Sequence, residues 1–197
     1  TVKSIYNNMR QFQNLSIVVH KKNYGQSISL LTGISKAKFE FIVTIDGDGQ
    51  NDPKDIIKLV NKFNVSSSFF LVIGNRKKRN DKFSRRIASR LAFWIRNIFL
   101  NDSIPDTGCA LKIFKKKDFL YIPFFNHIHR FLPFLFSTMG GDVLSVEVNH
   151  RKRISGISKY SNLQRAIVGF YDLFGVIWLR KRMHSSILIS KVYRSKK

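Results

Sequence analysis

Phe39-Glu40-Phe41-Ile42-Val43-Thr44-Ile45, running directly into Asp46-Gly47-Asp48-Gly49-Gln50, is the stretch on which the reading of this chain turns. The first part is an apolar run of strand length, and the second is rich in turn-forming residues. In open α/β sheets ligands bind beyond the carboxyl ends of the strands, which is where Asp46 and Asp48 stand. Alternate residues of an extended segment point the same way, so Asp46, Asp48 and Gln50 can converge on one point. Two carboxylates and an amide oxygen are hard ligands that suit Mg2+ or Mn2+. A cation there would bridge a diphosphate and neutralise charge on a leaving nucleotide. The alternative is an ordinary Asp/Gly turn. A calcium-binding EF-hand loop fits poorly, because no glutamate stands at its twelfth position.

Working outward, Ile5, Met9 and Phe12 share a helix face, Leu15 to Val19 reads as a short buried strand, and Asn23-Tyr24-Gly25 as a turn. Ile28, Leu31 and Ile34 line a helix that ends near Ala37. On the other side, Asp52-Pro53 has the form of an N-cap followed by proline, with Ile56, Ile57, Val60 and Phe63 as the apolar face of that helix. Phe69 to Ile73 is a strand closed by Gly74, and Ile87, Leu91, Trp94, Ile95 and Ile98 mark a long helix. Asp106-Thr107-Gly108 is a turn before a strand at Ala110 to Phe114, with Cys109 read as a small strand residue. Phe131 to Phe136 lies in an aromatic helical stretch, and Val143 to Val148 is a strand. Strand and helix alternate, which predicts an α/β domain on a mostly parallel sheet.

Length and composition agree with one domain and a real core: 197 residues, 44% hydrophobic and 13% aromatic, too apolar for disorder. Lys plus Arg number 35 against 12 Asp plus Glu, a net charge of +23 that calls for an anionic partner. Nucleic acid, anionic lipid and phosphorylated substrates are the three classes. No nucleic-acid-binding motif is present, so no nucleic acid is expected. The single cysteine rules out a disulfide within the chain and fits a reducing compartment. Composition carries no signal of oligomeric state.

The basic residues are clustered. Arg76, Lys77, Lys78 and Arg79 follow one strand, and Arg85, Arg86 and Arg90 open the long helix, with Arg86 and Arg90 on one face. Guanidinium forks suit phosphate oxygens; a solvated helix face is the alternative. His150, Arg151, Arg153, Lys159 and Tyr160 flank Gly156, giving either a cationic loop that closes over a phosphate-rich substrate or an ordinary surface loop. Ala166 to Leu179 is apolar and aromatic but too short to span a bilayer, contains Asp172, and is followed by Arg180-Lys181-Arg182. That pattern suits a helix lying in a membrane interface on the cytoplasmic side, or one packed on the core; both hold if one face packs on the domain. Residues 1–162 are accordingly read as the main domain and 163–197 as an amphipathic helix with a basic tail.

Several stretches occur together in one known order: Lys22-Asn23-Tyr24-Gly25-Gln26, Asp46 to Pro53, Gly74-Asn75-Arg76, Arg85-Arg86 with Ser89-Arg90, Asp106-Thr107-Gly108-Cys109, His129-Arg130-Phe131-Leu132-Pro133, and Arg153 to Tyr160. With them the chain, from Thr1 to about Arg182, resembles family 2 glycosyltransferases of the polyprenyl-phosphate type, the group of dolichol-phosphate mannosyltransferase and its bacterial undecaprenyl-phosphate relatives.

The resemblance implies a GT-A fold, a nucleotide-sugar donor, a polyprenyl phosphate acceptor at the cytoplasmic membrane face, and inversion at the anomeric carbon. Asp46, Asp48 and Gln50 fall on the family's metal-binding motif, for Mg2+ or Mn2+. Arg76, Arg90, Arg153 and Lys159 fall on basic positions near the donor diphosphate or the acceptor phosphate, and Arg86 is grouped with them. Asp106 falls where the family has an active-site acid, and Asp106 with Arg90 forms the expected catalytic pair. The family's opening strand, helix and strand end in an acidic segment and a threonine. Thr1 falls at that threonine, so a GT-A fold lacking this opening is expected. The competing readings are a family 2 enzyme with another acceptor, such as a glycan, and a non-catalytic fragment.

Overall fold

The computed structural model describes residues 2–9, 12, 14–76, 93–100, 104–151 and 162–183. Its helices are α1 (Val2–Asn8), α2 (Gln26–Lys36), α3 (Ile56–Val60), α4 (93–100), α5 (Lys116–Tyr121), α6 (Leu132–Thr138) and α7 (Asn162–Arg180). Four strands, β1 (Phe41–Thr44), β2 (Leu71–Arg76), β3 (Lys112–Lys115) and β4 (Val143–Val148), form one sheet in the order β1-β3-β2-β4. β3 runs antiparallel to both β1 and β2, whereas β2 and β4 pair in parallel. Three of the four strands therefore share one direction, and β3 is the reversed one inserted among them. Apolar runs carry no direction, so this reversal was not readable from the sequence. Its consequence is spatial: the carboxyl ends of β1, β2 and β4 and the start of β3 lie at the same edge of the sheet.

The core follows the period-two alternation of the strands. Ile42 and Phe114, opposite one another in register, face one side with Leu71, Phe119, Leu135 and Phe136. Phe114 stacks on Phe119 with ring centroids 5.5 Å apart, which extends the burial of α5. Leu111 and Ile113 face the other side, with Val72 and Leu59. Each fully buried side chain of this size contributes about 1.5–3 kcal/mol by leaving water.

Several sequence expectations are corrected in detail. β2 does not close at Gly74 but runs on to Arg76. A Cβ at Gly74 would lie 2.9 Å from Cys109 Sγ and from a Val148 methyl carbon, so the glycine is required by close packing inside a strand rather than by a turn. Cys109 itself is fully buried and precedes β3 instead of lying within it. In α3 the inward residue is Leu59, while Ile57 and Val60 are exposed. Leu15 to Val19 has no ladder partner among the described residues, and Val18 and Val19 are exposed. An extended segment is buried only where a neighbouring strand satisfies its backbone, and here none is described.

The reading of the carboxy-terminal helix as both packed and amphipathic fits α7. Leu173 and Val176 join the core that holds Ile34 and Phe131, whereas Phe170, Tyr171, Phe174 and Trp178 are exposed. Asp172, on the inward side, stands 2.8 Å from His127 Nδ1 as a close charge contact rather than an aligned hydrogen bond.

Candidate active site

The residues singled out for chemistry gather where the three like-directed strands end. β1 delivers the turn Gly47-Asp48, after which Gln50 N–H donates to Asp48 Oδ1 at 3.1 Å, an Asx turn that fixes the loop's shape. Asp46 is exposed and accepts a hydrogen bond from Gln26 Nε2 at 3.2 Å. Gln26 is the first residue of α2, so the helix start and the acidic turn meet. The amide nitrogen of Gln50 contacts His150 Nε2 at 3.3 Å, which engages the end of the amide that a cation does not use. Among the described residues no three His, Cys, Asp or Glu converge as a metal cluster. By their chemistry Asp46, Asp48 and the Gln50 oxygen are hard donors of the kind that a divalent cation such as Mg2+ takes beside phosphate oxygens and water.

Downstream of the turn the chain is fastened. Asp52 Oδ1 accepts from Lys54 N–H at 3.0 Å and begins a 3-10 turn at Pro53–Asp55, as the Asp-Pro pattern predicted. That hydrogen bond, together with the Arg151 guanidinium, holds the Asp52 carboxyl below its usual range. Asp55, 1% exposed, accepts from Asn149 N–H at 2.6 Å and from Lys58 Nζ at 2.7 Å.

The end of β4 is laced to this same segment. Asn51 bridges His150, Arg151 N–H donates to Gln50 O at 2.9 Å, and the Arg151 guanidinium reaches Asp52 at 2.5 Å. The polypeptide therefore enters the Arg153 to Lys159 segment from a point tied to the acidic turn. Arg153, Lys159, Arg86 and Arg90 themselves lie outside the described residues.

Arg76, last in β2, meets Asp106. Its Nε donates to Asp106 Oδ2 at 2.6 Å, its Nη2 to Oδ1 at 2.8 Å, and its backbone N–H to Oδ2 at 3.2 Å. This is the bidentate geometry that a buried carboxylate needs, and Asp106 is 5% exposed. The sequence reading treated the two as separate functional groups; in the structure they form an ion pair. Arg96 on α4 completes the support by donating to Thr107 Oγ1 and, at 3.0 Å, to the Ile104 carbonyl.

A polar layer beneath the site was missed. Ser27, 3% exposed, contacts His129 Nδ1 at 2.8 Å and accepts the His127 N–H at 2.9 Å. Burial, then the charges of Lys112, Arg130 and His127, push His129 down to about 3, so it is neutral at physiological pH. Lys112 is buried at the start of β3. A lone basic residue inside an apolar strand run was the available signal.

Residues 1–122 match the family described as Glycosyl transferase family 2. The chain is 33% identical over 173 residues to the dodecaprenyl-phosphate galacturonate synthase of Rhizobium johnstonii, covering 85% of this chain and 50% of that protein. It is 31% identical over 160 residues to the undecaprenyl-phosphate 4-deoxy-4-formamido-L-arabinose transferase of Yersinia pestis, and 33% identical over 160 residues to that of an Enterobacter species, in both cases covering 79% of this chain and 47% of the relative. The chain thus spans about half the length of the curated relatives it matches. With a match over more than half of its residues and a mixed α/β sheet that gathers its acids at the strand ends, this chain belongs to glycosyl transferase family 2, whose fold is GT-A.

Proposed function

We propose that this chain carries the donor side of a polyprenyl-phosphate glycosyltransferase, which moves a sugar from a nucleotide diphosphate to a prenyl phosphate with inversion. The observation that carries the reading is that the acidic turn after β1, the Arg76–Asp106 pair and the His150–Arg151 strand end lie at one edge of the sheet. The names of the relatives support the acceptor class.

The chemistry needs little acid–base help. A lipid phosphate is already anionic at neutral pH, so its oxygen attacks the anomeric carbon while the nucleoside diphosphate leaves from the opposite face. The task is to hold two anions together and offset their repulsion. A divalent cation, when bound by Asp46, Asp48 and Gln50, supplies charge neutralisation for the diphosphate. Gln26 holds Asp46 in place, and the Asx turn holds Asp48. Arg76 fixes the Asp106 carboxylate, which is assigned to the donor sugar. Arg86, Arg90, Arg153 and Lys159 are assigned to phosphate oxygens, and Arg90 with Asp106 to the catalytic step.

The acceptor is a membrane lipid, and α7 supports its delivery. No described helix is long and apolar enough to cross a membrane. α7 instead presents Phe170, Tyr171, Phe174 and Trp178 outward, with Arg182 over the Trp178 ring at 5.8 Å and Arg180 and Lys181 beside it. Exposed aromatics next to a cationic cluster suit the interface of an anionic leaflet, on the cytoplasmic face. On this reading residues 1–162 act as the transferase domain and 163–197 as its membrane-facing appendage.

The test is transfer from radiolabelled UDP- and GDP-sugars to undecaprenyl and dolichyl phosphate with Mg2+ or Mn2+. A metal-dependent lipid-linked product is expected. Transfer to a soluble glycan with none to prenyl phosphate would replace the acceptor assignment, and no transfer with any pair would favour a non-catalytic fragment.

A further inference from the structure

One buried charge has no part in the chemistry above. Lys112 opens β3 opposite Thr44 of β1 and Ile73 of β2, and is 4% exposed. Two residues further on, Phe114 is fully buried in the core. Taking an ammonium out of water costs several kcal/mol unless nearby groups offset it, and an apolar side chain of similar volume would carry no such cost. The groups that offset it belong to the site. Its Nζ donates to the carbonyl of Cys109, and the Cys109 N–H closes the turn back to Asp106 O at 3.3 Å. Thr44, two residues before Asp46, donates through Oγ1 to Ala110 O at 2.6 Å, stitching the same segment to β1. Asn51, next to Gln50, donates to Cys109 Sγ at 3.8 Å. The segment 109–112 is therefore the joint between the Asp106 turn and the Asp46–Gln50 turn, and Lys112 is the charge inside the joint.

Building on the transferase reading, we propose that Lys112 is a positioning residue: its buried ammonium fixes the Asp106–Cys109 turn against the strand that carries Asp46, so that both acid-bearing turns meet the donor in one geometry. The charged and titratable groups around it are Asp106 and Asp46, whose charges favour the ammonium, Arg76, which opposes it, and Cys109, whose thiol burial pushes up so that it stays neutral; His129, just before α6, feels the lysine in turn. Burial outweighs these and pushes Lys112 down to about 8. The ammonium is thus mostly present at neutral pH and lost as pH rises through that value.

The experiment compares the wild-type chain with Lys112→Met and Lys112→Arg. Amide hydrogen exchange at Cys109 reads the joint in the substrate-free protein, and calorimetry with UDP- and GDP-sugars plus Mn2+ reads the site. Lys112→Met is expected to fold, to exchange the Cys109 amide faster, and to bind donor about 10–100-fold more weakly. Wild-type donor affinity should fall between pH 7 and about 9, while that of Lys112→Met stays flat over the same range. Lys112→Arg keeps the charge and should restore most of both properties. Unchanged exchange and unchanged donor affinity in Lys112→Met would overturn the proposal. So would equal losses in both variants, since shape rather than charge would then be what the position needs; if Lys112→Met does not fold, Lys112→Arg decides, and a folded arginine variant with lost donor affinity overturns the proposal. If the wild type binds no donor, the transferase reading fails, and the exchange comparison alone still decides whether Lys112 sets the joint.

Discussion

The turn after β1 and the turn before β3 bring the same residue type to the same edge of the sheet in opposite states. Asp46 is exposed and bonded to a neutral amide at 3.2 Å. Asp106 is 5% exposed and takes three N–H groups from Arg76. A bidentate guanidinium pair in a buried position holds its carboxylate more firmly than one neutral hydrogen bond does. The difference separates two settings that spacing alone made look alike: the first acid is exposed at a turn, and the second is buried and built to stay still.

The sharpest way to break this comparison is to remove the balance. Arg76→Ala removes the bidentate guanidinium from buried Asp106, and should cost about 3–5 kcal/mol in urea unfolding. Asp46→Ala, in contrast, should leave stability nearly unchanged. Equal losses would erase the distinction between the two turns. A smaller effect is expected at the base of the buried turn. Gly74→Ala forces a methyl against Cys109 Sγ and Val148, and should cost about 1–3 kcal/mol by overpacking.

A last effect, absent at neutral pH and growing with acid, concerns the layer under α2. His129 is pushed down to about 3 from 6.5, so the unfolded chain binds the proton that the folded chain refuses. Its contribution is complete above pH 6.5 and is lost as pH falls toward 3, by up to about 1.4 kcal/mol per pH unit. His129→Gln should flatten that limb of the stability profile; an unchanged limb would mean that other groups cause it.

Local chemistry was more legible in the sequence than the sheet. Asp46-Gly47-Asp48 was legible as a turn at a strand end because Asp and Gly dominate turns, and Asp52-Pro53 because capping is local chemistry. The reversal of β3 was not legible, since Ala110 to Phe114 is equally apolar in either direction. Leu59 was passed over in favour of Ile57 and Val60 because a helix of this length offers too few positions to define a face. The Arg76–Asp106 pairing depends on residues thirty apart meeting across β2 and the turn before β3, which no periodicity encodes. Lys112 was hidden inside an apolar run, where a single cation reads as an interruption rather than as a signal.

The central claim, that the exposed turn takes the cation on which donor binding depends, is tested most directly by calorimetry of UDP- and GDP-sugars with and without Mn2+, on the wild-type chain and on Asp46→Asn with Asp48→Asn. The account predicts donor binding by the wild type that requires the metal, and loss of that metal dependence in the double variant with the fold intact. Metal-dependent donor binding of equal strength in both proteins would contradict it.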